Sequence, residues 1–182
     1  MDHETTYTAF AGHRHIVSGG LKEMLLGTKA WVDRGTSEVA IFEDQTGRPV
    51  DFDFRGTSDE VLGRAAAVPR VGPGRPRLGV VSREVSLLPR HWDWLEQQPN
   101  GLSAALRRLV DEARKRDPGE ERARLAREAA GRFMTAMAGD LPGFEEASRA
   151  LYAKDHEGLR QRTSAWPEDI RLYIERLLQE AL

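Results

Sequence analysis

The chain has 182 residues, 40% apolar and 31% charged, which suits an ordinary folded protein with one good core or two small ones. It has no cysteine, which excludes disulfides, thiolate metal sites and cysteine nucleophiles. No run approaches the ~20 apolar residues of a membrane span, and Met1 to Thr6 lack the basic start and apolar stretch of a secretory leader. A cytoplasmic protein without membrane contact is therefore expected.

The formal charge of −2 hides an asymmetry. Residues 1–64 hold 7 basic and 11 acidic side chains, residues 65–116 hold 10 and 5, and residues 117–182 hold 10 and 13. The positive charge gathers in the middle, where a polyphosphate partner would find it.

Residues 1–64 read as a small α+β domain of order ββαββα. Thr6 to Phe10 and Arg14 to Val17 are strand candidates about a turn at Ala11, Gly12 and His13. Leu21 to Val32 has helical spacing and Gly35 a plausible stop. Val39 to Phe42 reads as a third strand, and Asp44 to Gly47 as a hairpin turn. Val50 to Arg55 alternates: Val50, Phe52 and Phe54 point one way, Asp51, Asp53 and Arg55 the other, as in a strand. Thr57 or Ser58 would cap the helix that follows.

Residues 65–79 form a linker rich in proline, glycine and arginine. From about Glu120 the domain 117–182 is helical. Leu125, Ala129, Phe133, Met134 and Met137 form one apolar stripe, and Phe144, Ala147, Leu151 and Tyr152 the next. Ile170, Tyr173, Ile174, Leu177 and Leu178 share a face of the last helix. Asp140 and Asp155 are expected caps.

The segment 80–116 carries the functional argument. From Val81 to Leu88 the odd positions are mostly apolar and the even positions, Ser82, Glu84 and Ser86, polar. Pro89 opens a helix with Trp92 and Leu95 on one face. Pro99, Asn100 and Gly101 break it. Ser103 is placed to cap a second helix with a stripe of Leu102, Leu106, Leu109, Val110 and Ala113. Arg107, Arg108, Arg114, Lys115 and Arg116 cover its outer face.

This order resembles the ribbon-helix-helix family of bacterial repressors and antitoxins. The resemblance implies that a strand at 82–88 pairs with its copy in a second chain and enters the major groove of double-stranded DNA. It puts Ser82, Glu84 and Ser86 at base edges, with Arg83 between them, and a phosphate near Ser103 at the second helix's start. Arg107 and Arg108 would contact the backbone. In the linker, Gly74, Arg75, Pro76 and Arg77 resemble an AT-hook. That implies an arginine peptide in the narrow minor groove, with Arg75 and Arg77 inserted.

Four stretches resemble one bacterial family, the domain of unknown function 2239. They are Tyr7 to Arg14, Thr46 to Asp51, Gly72 to Pro76 through Leu88 to Trp92, and Ala136 to Phe144. The resemblance implies a shared architecture and no activity.

Other chemistry is sparse. His13 and His15 sit two apart without an evident third metal ligand. Asp44, Asp51 and Asp53 suggest a metal-dependent hydrolase as the weakest reading. The expectation is α+β: the N-terminal unit, a ribbon-helix-helix-like central segment and a C-terminal helical bundle. The expected function is a homodimeric DNA-binding protein, a transcriptional regulator or nucleoid-associated factor, neither an enzyme nor dependent on a cofactor or metal. The alternative is a protein-interaction module whose C-terminal helices take a partner.

Overall fold

The computed structural model describes residues 5–35, 38–66, 83–116 and 118–179. The chain divides into two compact units, Met1–Val68 with Arg122–Leu182, and Pro69–Glu121.

The first unit is built on a four-stranded antiparallel sheet of order β2-β1-β3-β4, with β1 at Thr6–Ala11, β2 at Arg14–Gly20, β3 at Ala40–Glu43 and β4 at Arg48–Pro49. Helix α1 (Leu21–Val32) follows β2, and α2 (Ser58–Ala66) follows β4, giving the ββαββα order. The rest of the unit is helical: α5 (Pro118–Ala138), α6 (Phe144–Tyr152), α7 (His156–Arg162) and α8 (Glu168–Gln179). The protein is thus mixed α+β.

Strand alternation gives the sheet two apolar faces. Ala9 pairs with Ile41, and both pack with Met24 and Leu25 of α1 and Val61 of α2. One residue along, Phe10 and Phe42 point the other way, into a cluster with Phe133 and Met134 of α5, Ala147 and Leu151 of α6, and Ile170, Tyr173 and Ile174 of α8. The Phe133 ring lies 5.3 Å from Phe10, 5.0 Å from Phe42 and 4.4 Å from Tyr173. The sequence reading divided residues 1–64 from 117–182; here both contribute to one core, because β1 and β3 are apolar on both faces.

The alternation at 50–55 survives without a strand. Val50, Phe52 and Phe54 pack on the α1/α2 side, while Asp51, Asp53 and Arg55 are exposed. The ladder ends because Pro49 has no N–H and the last ladder-like bond runs from Val50 N to the Ile41 carbonyl (2.9 Å). Beyond it the Arg64 guanidinium takes the Asp53 carbonyl (2.8 Å) and that of Arg55, doing the work of a neighbouring strand.

Thr57 and Glu60 form a capping box on α2: the Glu60 carboxylate accepts from Thr57 N (2.7 Å), and Thr57 Oγ1 accepts from Glu60 N (3.3 Å). Asp155 caps α7 by accepting from Gly158 N (2.8 Å). Asp140 does not cap α6. Pro142 and Gly143 (φ +76°) intervene, and Gly143 takes the cap position. Gly47 turns β3 into β4 at φ +64°, and a Cβ there would overlap the Ala129 carbonyl of α5.

In the second unit α3 runs Pro89–Glu96 and α4 Leu102–Arg116, joined through Asn100 (φ +68°) and Gly101 (φ +80°). The expected strand at 82–88 is absent: residues 83–88 have no regular structure, and Ser82 lies outside the described residues. A strand needs a ladder partner, and among the described residues none is offered to this segment.

Candidate nucleic-acid interface

The second unit is short of core. Among its described residues only Leu95 and Ala105 are buried apolar side chains, while Val85 (53% exposed), Leu88 (48%), Trp94 (47%) and Val110 (55%) face solvent. Arg83, Glu84, Val85, Ser86 and Leu88 are exposed and Leu87 is half-buried. The apolar and polar positions of 83–88 are thus both open to solvent on a segment without a ladder.

Of the sequence-predicted residues, Arg75, Pro76, Arg77 and Ser82 lie outside the described residues. Arg83, Glu84 and Ser86 stand together on the exposed segment before α3. Ser103 is exposed but is not the cap of α4. The helix starts one residue earlier, and Gly101 supplies its first carbonyl, accepting from Ala104 N (3.1 Å) and Ala105 N (3.0 Å). The positive φ values of Asn100 and Gly101 pull the start forward. Arg107 Nε donates to its own helix at the Ser103 carbonyl (3.0 Å). Arg108 donates to Gln98 Oε1 (3.1 Å) and lies 3.9 Å from Glu112. Residues 83–116 contain seven basic and five acidic side chains, so most of the positive excess of the middle region belongs to the linker.

Sequence reasoning missed a buried polar network in the first unit. Asp44 is buried at the end of β3, and its Oδ1 accepts from Thr8 Oγ1 (2.7 Å), the Tyr173 hydroxyl (2.8 Å) and Arg176 Nη2 (3.0 Å). Arg176 also reaches Thr8 Oγ1 (2.6 Å) and Ser18 Oγ (2.9 Å), and its guanidinium lies 4.7 Å from the Tyr173 ring centre. Ser18 Oγ lies 2.9 Å from Thr8 Oγ1 and 2.8 Å from His15 Nε2. Donor counting orients the chain. Thr8 spends its one hydrogen on Asp44, so Ser18 donates to Thr8, and His15 Nε2 carries the hydrogen toward Ser18. The serine hydroxyl thus points away from the imidazole, opposite to the arrangement that would activate it as a nucleophile.

Burial and the neighbouring Asp44 carboxylate push the Tyr173 hydroxyl well above its ordinary value, so it stays a donor. Burial lowers the His15 imidazole; Arg176 adds to that shift, while Asp169 and Asp44 oppose it. The sequence cue for the network was a cation, Arg176, three residues beyond a core tyrosine, Tyr173, on the last, amphipathic helix.

The acidic trio does not converge. Asp44 is enclosed in this network, and Asp53 is held far below its ordinary value by hydrogen bonds from Arg55. Among the described residues no three histidine or carboxylate side chains gather to hold a metal ion. No described helix is long and apolar enough to cross a membrane.

A four-stranded antiparallel sheet buried on both faces between two sets of helices defines the class of the first unit. Over residues 6–178 the chain matches a family described as an uncharacterised protein conserved in bacteria (DUF2239), and it belongs to that family. No curated protein and no solved structure matches it.

Proposed function

We propose that this is a cytoplasmic, homodimeric DNA-binding protein, a regulator or nucleoid-associated factor, whose second unit is both the dimer contact and the DNA reader. The observation that carries the reading is the segment 83–88. It is largely exposed, has no ladder partner among the described residues, and stands directly before a helix pair with few buried apolar side chains among them. Pairing with a second copy would satisfy its backbone and present Ser82, Glu84 and Ser86 on one face, with Arg83 on the other. Arg75 and Arg77 would supply a minor-groove arm, a part that rests on sequence alone. Arg108, Arg114 and Lys115 remain candidates for phosphate contacts. Arg107 belongs to the same set: its bond to its own helix uses only Nε and leaves the terminal nitrogens of the guanidinium for a phosphate.

The test is binding of a fluorescent A·T-rich duplex across a potassium chloride series. Affinity should fall linearly on logarithmic axes. The double substitution Arg75→Ala and Arg77→Ala should weaken binding and flatten the slope by about two phosphate contacts. No binding at low salt would overturn the reading, and unchanged affinity in the double variant would remove the arm.

A second reading, a protein-interaction module, is favoured by Asp93, Glu96, Asp111 and Glu112, which dilute the positive charge of α3 and α4. A co-purifying protein without DNA affinity would support it.

A further inference from the structure

We propose that the groove between α7 and α8 binds a medium-chain carboxylic acid, its carboxylate on Arg171 and its hydrocarbon chain along Leu159, Ile174 and Leu178. The inference uses the first unit alone and stands apart from the DNA reading. The two helices hold open a pocket of about 310 Å³, at the lower end of small-ligand sites. Leu159 and Ile174 are buried in its floor, and Leu178 packs partly against the same core. All three are aliphatic, which suits an alkyl chain better than a ring that would stack. Arg171, Ile174 and Leu178 stand three and four residues apart, so they follow one face of α8. From Arg171 to Leu178 the helix advances about 10 Å, the reach of an extended medium-chain acid.

Charge selects the head group. Arg160 lies 3.6 Å from Glu157 and 3.5 Å from Glu175, so these three charges are committed to one another. Glu175 is four residues beyond Arg171 and within helical reach of it, yet turns to Arg160 instead. Among the described residues the Arg171 side chain forms no hydrogen bond or ion pair. Its Nε is shut off from solvent, so the stem runs in the pocket wall and the terminal nitrogens are the donors left for a ligand. Two parallel N–H groups of a guanidinium match the two oxygens of one carboxylate. Thr163, also in the wall, adds no donor, because its hydroxyl donates to the Leu159 carbonyl (2.9 Å).

The test titrates the full chain with octanoate, octanol and acetate by calorimetry, and follows the amide shifts by NMR. Octanoate should bind saturably. Octanol keeps the chain without the charge, acetate the charge without the chain, and each should bind at least about tenfold more weakly. Arg171→Gln should lose octanoate affinity by about tenfold or more, while Arg149→Gln, on the exposed side of α6, should keep it. No saturable binding, octanol bound as tightly as octanoate, or wild-type affinity in Arg171→Gln would overturn the inference. The shift map depends on no variant: octanoate should move amides of α7 and α8, and shifts centred elsewhere would overturn the site even if Arg171→Gln failed to fold.

Discussion

Asp44 holds the first unit's polar interior together. One carboxylate oxygen collects a threonine, a tyrosine and an arginine from β1 and α8, elements far apart in sequence. Such a group is strongly destabilising to remove because its partners stay behind unpaired. Arg176 keeps some water contact, which moderates the loss. Asp44→Ala should cost about 3 kcal/mol in urea unfolding, and Asp44→Asn should cost less because it retains an acceptor. A loss near zero for Asp44→Ala would show that the network adds nothing to stability.

His15 belongs to the same network, and its protonation is linked to folding. Its folded-state value is lowered, chiefly by burial, so the unfolded chain takes the proton first. The sign follows: its contribution is fully present above the ordinary value of about 6.5 and is lost as pH falls through the lower folded value. His15→Gln keeps a donor for Ser18 and removes the titration. The wild type should lose more thermal stability than this variant between neutral pH and pH about 5. Parallel pH profiles would contradict the assignment.

At the scale of elements, local chemistry was legible where it was self-contained. Pro89 opens α3, and Thr57 and Glu60 build their reciprocal cap three residues apart. Thr57→Ala should lower stability by about 1 kcal/mol, read from the urea midpoint, while Ser58→Ala should leave it nearly unchanged. Equal effects would show that the cap had been assigned to the wrong residue. What failed to show in the sequence was set by something distant or by backbone shape. The alternation at 50–55 correctly divided buried from exposed side chains, yet a guanidinium from α2 took the carbonyls that a strand would have used. Ser103 and Asp140 have the right chemistry for caps, but glycines with positive φ moved the helix starts away from them.

At the scale of the whole molecule, composition separated the acidic ends of the chain from its basic middle, and that middle is where the second unit lies. Composition did not show that the two ends share one core, because Phe10 and Phe42 meet Phe133 and Tyr173 only once the sheet buries both faces. Nor can any single chain contain a ribbon made by two. The first unit has a dense aromatic core and a satisfied buried carboxylate. Among its described residues the second buries only Leu95 and Ala105 and leaves Val85, Leu88, Trp94 and Val110 open to solvent, an incompleteness that assembly would mend.

The absence of cysteine makes that assignment directly measurable. In an antiparallel ribbon formed by 82–88 of two copies, Val85 lies on the two-fold axis, opposite its own counterpart at a Cβ separation of about 5 Å. Val85→Cys should form an intermolecular disulfide rapidly under mild oxidation, and Ser103→Cys, away from the axis, should not. Cross-linking of neither, or of both at equal rates, would contradict the paired ribbon.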